Sequence, residues 1–265
     1  MEKLWPQRLL IALVVTAAFA RLGFHEFTGW DDPATIYANP SFNPPRLANL
    51  PWYWTAWGER ASMGLYVPLT YTFWGLLAKL AYLQNADPLG IRLNPFVYHS
   101  ANVVLHVLGA LAAFELLRRL AGSAWAACAG ALLWALHPVQ VEPVGWASGT
   151  KDVLCGVLAL VALWQYVVFA RGSGGSRDGG ARWRRIHYAL ATLAFVGAML
   201  AKPSGLVVPL MALVIDVLCL RRPVARSLTA LAPWFVLVLP VVYLARLTQT
   251  TFGMDPGPLL SLIHI

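Results

Sequence analysis

Long stretches of this chain carry almost no charge, and that feature decides which solvent it can fold in. Apolar runs occupy residues 6–24, 94–117, 124–136, 153–170, 186–201, 206–220 and 228–245. A helix rises about 1.5 Å per residue, so about 20 apolar residues cross the ~30 Å hydrocarbon layer. Several of these runs fall short of that, and their polar flanks are expected to extend the helices. Lipid offers no partner to a free backbone N–H or C=O, so each run must pair its own backbone. The expected fold is therefore all-α, a polytopic membrane bundle of about seven spans. Composition agrees: 58% of residues are hydrophobic and 12% charged, where a soluble domain carries about 25% charge. The 12 Trp suit the membrane interface.

The net charge of +8 reads as membrane orientation rather than a nucleic-acid footprint, because no basic face is clustered on a soluble segment. Threading the runs alternately puts Lys3, Arg8, Arg118, Arg119, Arg171, Arg177, Arg182, Arg184, Arg185, Arg221, Arg222 and Arg226 on one side, in short segments. Positive charge in short loops marks the cytoplasmic side. The N-terminus is thus expected in the cytoplasm of what reads as a bacterial inner membrane protein. A cleaved signal peptide is the rival reading of residues 6–24.

Two polar segments stand out. Residues 25–93 form a long outer loop holding Pro33, Pro40, Pro44, Pro45 and Pro51 and a Trp52–Trp57 aromatic cluster. Within it Leu69, Phe73, Leu76, Leu80 and Leu83 recur at helical spacing, which predicts an amphipathic helix lying on the membrane surface; a short spanning helix is the alternative. Residues 171–185, rich in Gly, Ser and Arg, read as a cytoplasmic linker. Cys128, Cys155 and Cys219 sit in apolar stretches without metal spacing and read as small core residues. No internal repeat is visible.

The carboxylates collect on the outer side: Glu26, Asp31, Asp32, Glu59, Asp87, Glu142, Asp152 and Asp255. Asp31 and Asp32 follow the first run closely, behind Trp30. Such a pair suits a general base or a divalent metal, or only a solvated cap ahead of Pro33. His99, Asn102 and His106 share one helix face, either lining a polar interior or bonding helix to helix. Residues 137–152 pack His137, Glu142, Lys151 and Asp152 between two apolar runs, more chemistry than a connector needs. Lys202 ends the fifth run on the same side, where snorkelling is the alternative. Asp216 is expected to pair with Arg221 or Arg222.

Together these segments resemble one family. Trp30-Asp31-Asp32, Asn39-Pro40 and Pro68-Leu69-Thr70 are similar to the first outer loop of the membrane-plus-tetratricopeptide O-mannosyltransferases and their bacterial relatives. Tyr98-His99, Asn102 and Leu105-His106 resemble the next helix. His137-Pro138-Val139, Val141-Glu142, Trp146 and Lys151-Asp152 resemble the second outer loop, and Lys202-Pro203 with Asp216 a later block. Val67 and Thr150 stand where that pattern has Arg. The resemblance implies the GT-C superfamily of polyprenyl-phosphate-sugar glycosyltransferases. It implies transfer of a sugar, possibly mannose in that family, from a lipid-phosphate donor to a protein or glycan hydroxyl outside the cytoplasm. Carried over by position, Asp31 or Asp32 is the catalytic base, with Asp31 favoured. His99, Asn102, His106, His137, Glu142, Lys151, Asp152 and Lys202 are the donor-binding candidates, and a divalent metal is an open option. No nucleic-acid partner is implied. Residues 1–265 are expected to be the N-terminal part of a longer transmembrane glycosyltransferase domain, since the family's soluble repeats do not appear. A transporter or flippase predicts a pseudo-repeat and mid-membrane polar residues. A non-catalytic anchor leaves the outer carboxylates without a role.

Overall fold

The computed structural model describes residues 4–55, 65–172 and 177–251. The expectations on Lys3, Trp57, Glu59 and Asp255 lie outside them. Among the described residues the regular structure is helical, apart from one antiparallel bridge between Tyr82 and Leu93. Helix α1 (Trp5–Phe19) runs on as a tighter turn, Ala20–Phe24. The outer loop follows, with α2 (Leu50–Thr55) and α3 (Pro68–Ala81). Helix α4 (Pro95–Ala121) starts where the Asn94 side chain accepts the Phe96 N–H, and ends at Gly122, φ 73°. That left-handed angle is open to Gly without strain. Helix α5 (Ala124–Ala135) is capped by Ser123, and a 55° bend leads into α6 (Val141–Gly145). Then come α7 (Thr150–Arg171), α8 (Arg177–Ala201), α9 (Val208–Val214), a π turn at Ile215–Cys219, and α10 (Val224–Thr251).

Among the described residues four helical stretches are long and apolar enough to cross a membrane: Trp5–Phe24, Pro95–Ala121, Ala147–Arg171 and Val224–Thr248. The bent pair Ala124–Ala135 with Pro138–Gly145 makes a fifth if it counts as one span. The chain is thus an integral membrane helix bundle, while the expected seven spans exceed what length and composition support. The shortfall has two causes. Helix α8 carries arginines through its first turns, and the Pro203–Cys219 helix is short and interrupted. The expected linker also contracts. α7 continues to Arg171 and α8 begins at Arg177, so Arg182, Arg184 and Arg185 ride on a helix. Their alkyl stems can lie along its apolar continuation with the charged heads at the end.

Two cores fill the bundle. One joins α7, α8, α9 and α10 around Trp234, which stacks on Phe195 at 4.8 Å and meets the tilted Tyr166 ring at 5.4 Å. The other joins α1, α4 and α5, where Ala110, Ala113, Ala127, Ala131 and Ala135 let the helices close on Ile11 and Phe114. Small residues serve this in membranes because close backbone approach supplies the van der Waals contact that hydrophobic expulsion cannot. Salt bridges fasten the end holding the N-terminus: Glu115 accepts from Arg8 and Arg118, and Asp216 from Arg222 at 2.7 Å.

The outer loop is packed rather than loose. Phe42, Tyr53, Tyr71, Trp74 and Tyr98 form an aromatic core with Ile36, Leu93 and Ala147. The expected stripe on α3 divides between protein and surface. The helix's buried face is Thr70, Tyr71, Trp74, Leu77, Ala78 and Ala81. Only Leu69 and Phe73 of the expected set pack inward, against Leu154 and Ala198, whereas Leu76, Leu80 and Leu83 are exposed. Two apolar stripes share this short helix, and spacing alone does not say which one meets protein.

Candidate active site

The site grows from the turn that launches α7. Residues Ala147–Gly149 make one tight helical turn that runs straight into Thr150, so consecutive N–H groups project from a helix start. Such groups have no partner within the helix and favour an anion. Asp32 supplies it. Its carboxylate is fully buried. Oδ1 accepts from Ser148 N at 2.8 Å, and Oδ2 accepts from Ala147 N at 3.3 Å and Thr28 N at 2.9 Å. Three backbone donors stabilise its charge and tie the first outer loop to the second. Gly149 makes the turn possible, because a Cβ there would strike the Pro143 carbonyl.

Asp31, one residue earlier, points the other way. Its side chain is 57% exposed, and Oδ2 lies 3.9 Å from Lys151 Nζ. Beside Lys151 stands Asp152, whose Oδ1 is 2.5 Å from Lys202 Nζ. Lys202 follows the end of α8, which is anchored there by Thr70 Oγ1 donating to the Ala201 carbonyl at 2.8 Å. Residues from three separate segments thus form a row of alternating charge, Asp31–Lys151–Asp152–Lys202, at one end of the bundle. Lys151 and Lys202 are only 18% and 17% exposed, so partial desolvation strengthens the field they set up.

The polar face of α4 lies beneath this row. His99 Nε2 bonds the Glu26 carbonyl at 3.3 Å. Asn102 donates to the Trp146 carbonyl at 2.7 Å and accepts from Thr150 Oγ1 at 2.7 Å. His106 Nε2 donates to the Ala135 carbonyl at 2.8 Å, at the bend after α5. All three are buried. They hold the backbone of both outer loops, and their hydrogen bonding matches the helix-to-helix reading. Buried polar atoms of His99 (Nδ1), Thr28 (Oγ1) and Ser148 (Oγ) have no protein partner near Asp32.

His137 and Glu142 are exposed. His137 Nδ1 accepts from Val139 N at 3.2 Å and so caps its own turn. No described ion pair or hydrogen bond joins either side chain to the charged row. Asp152 faces a second feature, a cleft of about 140 Å³ that it lines with His106, Trp134 and Gln140. Among the described residues no three His, Cys, Asp or Glu side chains converge to hold a metal. Asp216 is buried at the other end, bound by Tyr166 and Arg222.

Two residues of the site are not among the candidates the sequence offers. Thr150 is buried and bonds Asn102 and the Ala147 carbonyl; an Arg there would have to find room in that packed turn. Ser148 contributes through its backbone N–H alone, and the small-residue run Ala147-Ser148-Gly149 is the one sequence hint of that. Val67, the other departure, is 1% exposed inside the aromatic core.

Comparison with known proteins points one way. The chain is similar to Protein O-mannosyl-transferase TMTC4 of Homo sapiens, 28% identical over 227 residues, 81% of this chain and 30% of that protein. Protein O-mannosyl-transferase TMTC1 of Mus musculus is 31% identical over 142 residues, 51% of this chain and 14% of that protein. Protein O-mannosyl-transferase Tmtc1 of Drosophila melanogaster is 30% identical over 202 residues, 75% of this chain and 21% of that protein. The chain spans less than a third of the length of these relatives. No family model and no solved structure matches it.

Proposed function

We propose that this chain carries the catalytic face of a GT-C-like membrane glycosyltransferase that moves a sugar, mannose by likeness to its relatives, from a polyprenyl-phosphate donor to an acceptor hydroxyl. The observation that carries the reading is the division of labour between the adjacent aspartates. Asp32 is buried and saturated by backbone donors, while Asp31 is exposed beside two half-buried lysines.

Asp31 accepts the proton of the acceptor hydroxyl. The acceptor oxygen then forms the bond to the anomeric carbon as the bond from that carbon to the phosphate oxygen breaks. The electron pair leaves with the phosphate, whose charge Lys151 and Lys202 meet as fixed ammonium groups. Asp152 orients Lys202, and Asp32 holds the turn that presents Lys151. His99, Asn102 and His106 support both loops from below; His137 and Glu142 stand at the rim, where acceptor contacts are open to them. The basic-residue threading supports a non-cytoplasmic location for this end of the bundle.

Purified chain, or the longer protein containing it, is assayed with a panel of radiolabelled polyprenyl-phosphate sugars and hydroxyl acceptors. Label moving to the acceptor from one donor, with Lys151→Gln slowing transfer by about tenfold or more, is the expected result. No transfer from any lipid-phosphate sugar by the longer protein, or full rate in Lys151→Gln, ends this reading.

A further inference from the structure

A surface feature at the opposite end of the bundle has no part in that chemistry. A groove of about 470 Å³ opens between α7, α8 and α10, lined by Phe169, Arg184, Arg185, Tyr188, Ala189 and Pro233 with their neighbours. Its floor is apolar, and the Tyr188 hydroxyl closes it by donating to the Ala230 carbonyl of α10 at 2.8 Å. Pro233 lacks an N–H and cannot bond back along α10. Its mouth is cationic and its lining holds no carboxylate.

Among the described residues no carboxylate pairs with the charges at this mouth. Arg184 lies with its guanidinium 5.1 Å above the Phe169 ring, and its buried Nε has no hydrogen-bond acceptor. Arg185 beside it is exposed. The carboxylates described nearby are committed, Glu115 to Arg8 and Arg118, and Asp216 to Tyr166 and Arg222. Trp183, one residue before Arg184 and 49% exposed, marks the level of the membrane interface.

We propose that this groove is a binding site for an anionic phospholipid, with the phosphate held by Arg184 and Arg185 and the upper acyl chain laid along Ala189, Ala230 and Pro233. A planar guanidinium presents paired donors that match phosphate oxygens. An unpaired buried Nε carries a desolvation cost that such an acceptor relieves. An apolar floor directly below a cationic mouth fits a lipid, which has both parts, where free phosphate has only one. Two positive groups without a counter-charge favour a headgroup of net negative charge over a zwitterion.

Native mass spectrometry of the detergent-purified chain with equimolar palmitoyl-oleoyl phosphatidylglycerol and phosphatidylcholine tests the proposal. Phosphatidylglycerol is expected to stay bound in preference. Arg184→Gln with Arg185→Gln is expected to lower its retention about tenfold. Ala189→Trp, which fills the groove and leaves both arginines, is expected to do the same, and it decides the matter if the double variant does not fold. Equal retention of the two lipids overturns the proposal. So does wild-type retention in Ala189→Trp, which would leave only diffuse surface charge, or displacement of the lipid by millimolar inorganic phosphate, which would make the site one for a bare anion.

Discussion

Replacing each of the adjacent aspartates by Asn separates the two roles argued for them. Asp32 accepts three backbone hydrogen bonds at full burial. Asn has one acceptor oxygen, so its best orientation keeps the two bonds to Oδ2. It then turns an NH₂ group towards Ser148 N, placing donor against donor. Hydrogen bonds to a charged group contribute about 1.5–3 kcal/mol each, and a buried donor left unsatisfied costs about 1–3 kcal/mol. Losing one such bond and weakening two by removing the charge predicts a destabilisation of about 2–4 kcal/mol. Asp31 has no such partners, and its 57% exposure beside Lys151 predicts a change of less than about 0.5 kcal/mol. Activity runs the other way: Asp31→Asn cannot take the acceptor proton and should lower turnover by about 10²–10⁴-fold with donor affinity nearly unchanged. Thermal unfolding in detergent and single-turnover transfer, measured on both variants, give the four numbers needed. Asp32→Asn matching the wild type in stability would remove the brace. Near-normal turnover in Asp31→Asn would remove the base.

Gly149→Ala should loosen the second outer loop and cost more than about 2 kcal/mol, because its Cβ meets the rigid Pro143 carbonyl; an unfolding midpoint equal to wild type would contradict the packing described. Asp216→Ala strands Arg222, 10% exposed, and the Tyr166 hydroxyl, so a loss of about 3–5 kcal/mol is expected, read by the same unfolding measurement. Burial pushes the Tyr53 phenol up to about 12. The folded state therefore keeps a proton that the unfolded chain gives up above about pH 10, and stability should fall from pH 10 to 12; ionisation of all tyrosines near pH 10 without loss of stability would refute this. In a background without cysteines, a Cys at the exposed Ala38 should label with an impermeant maleimide from outside intact cells and one at Ala181 should not. The reverse pattern would invert the orientation.

The solvent and the cast of residues can be read from the chain's chemistry alone. Uncharged runs force helices in lipid because backbone groups there have no other partner, and that holds however the helices pack. The carboxylates and lysines at 31, 32, 151, 152 and 202 were visible for a similar reason, since charge beside apolar runs is costly and stands out. The number of spans was less legible: runs such as 186–201 and 206–220 are apolar enough to suggest spans, yet one is led by arginines and the other breaks at a π turn. Only the tertiary structure decided which aspartate is buried. Asp31 and Asp32 are neighbours of identical chemistry, and the difference between them is set by the N–H groups of Ala147 and Ser148, more than a hundred residues away. It also decided that His99, Asn102 and His106 hold backbone carbonyls, and which face of α3 meets protein. A helical period states that residues share a face but carries no information about what packs against it, because that partner is supplied by distant parts of the chain.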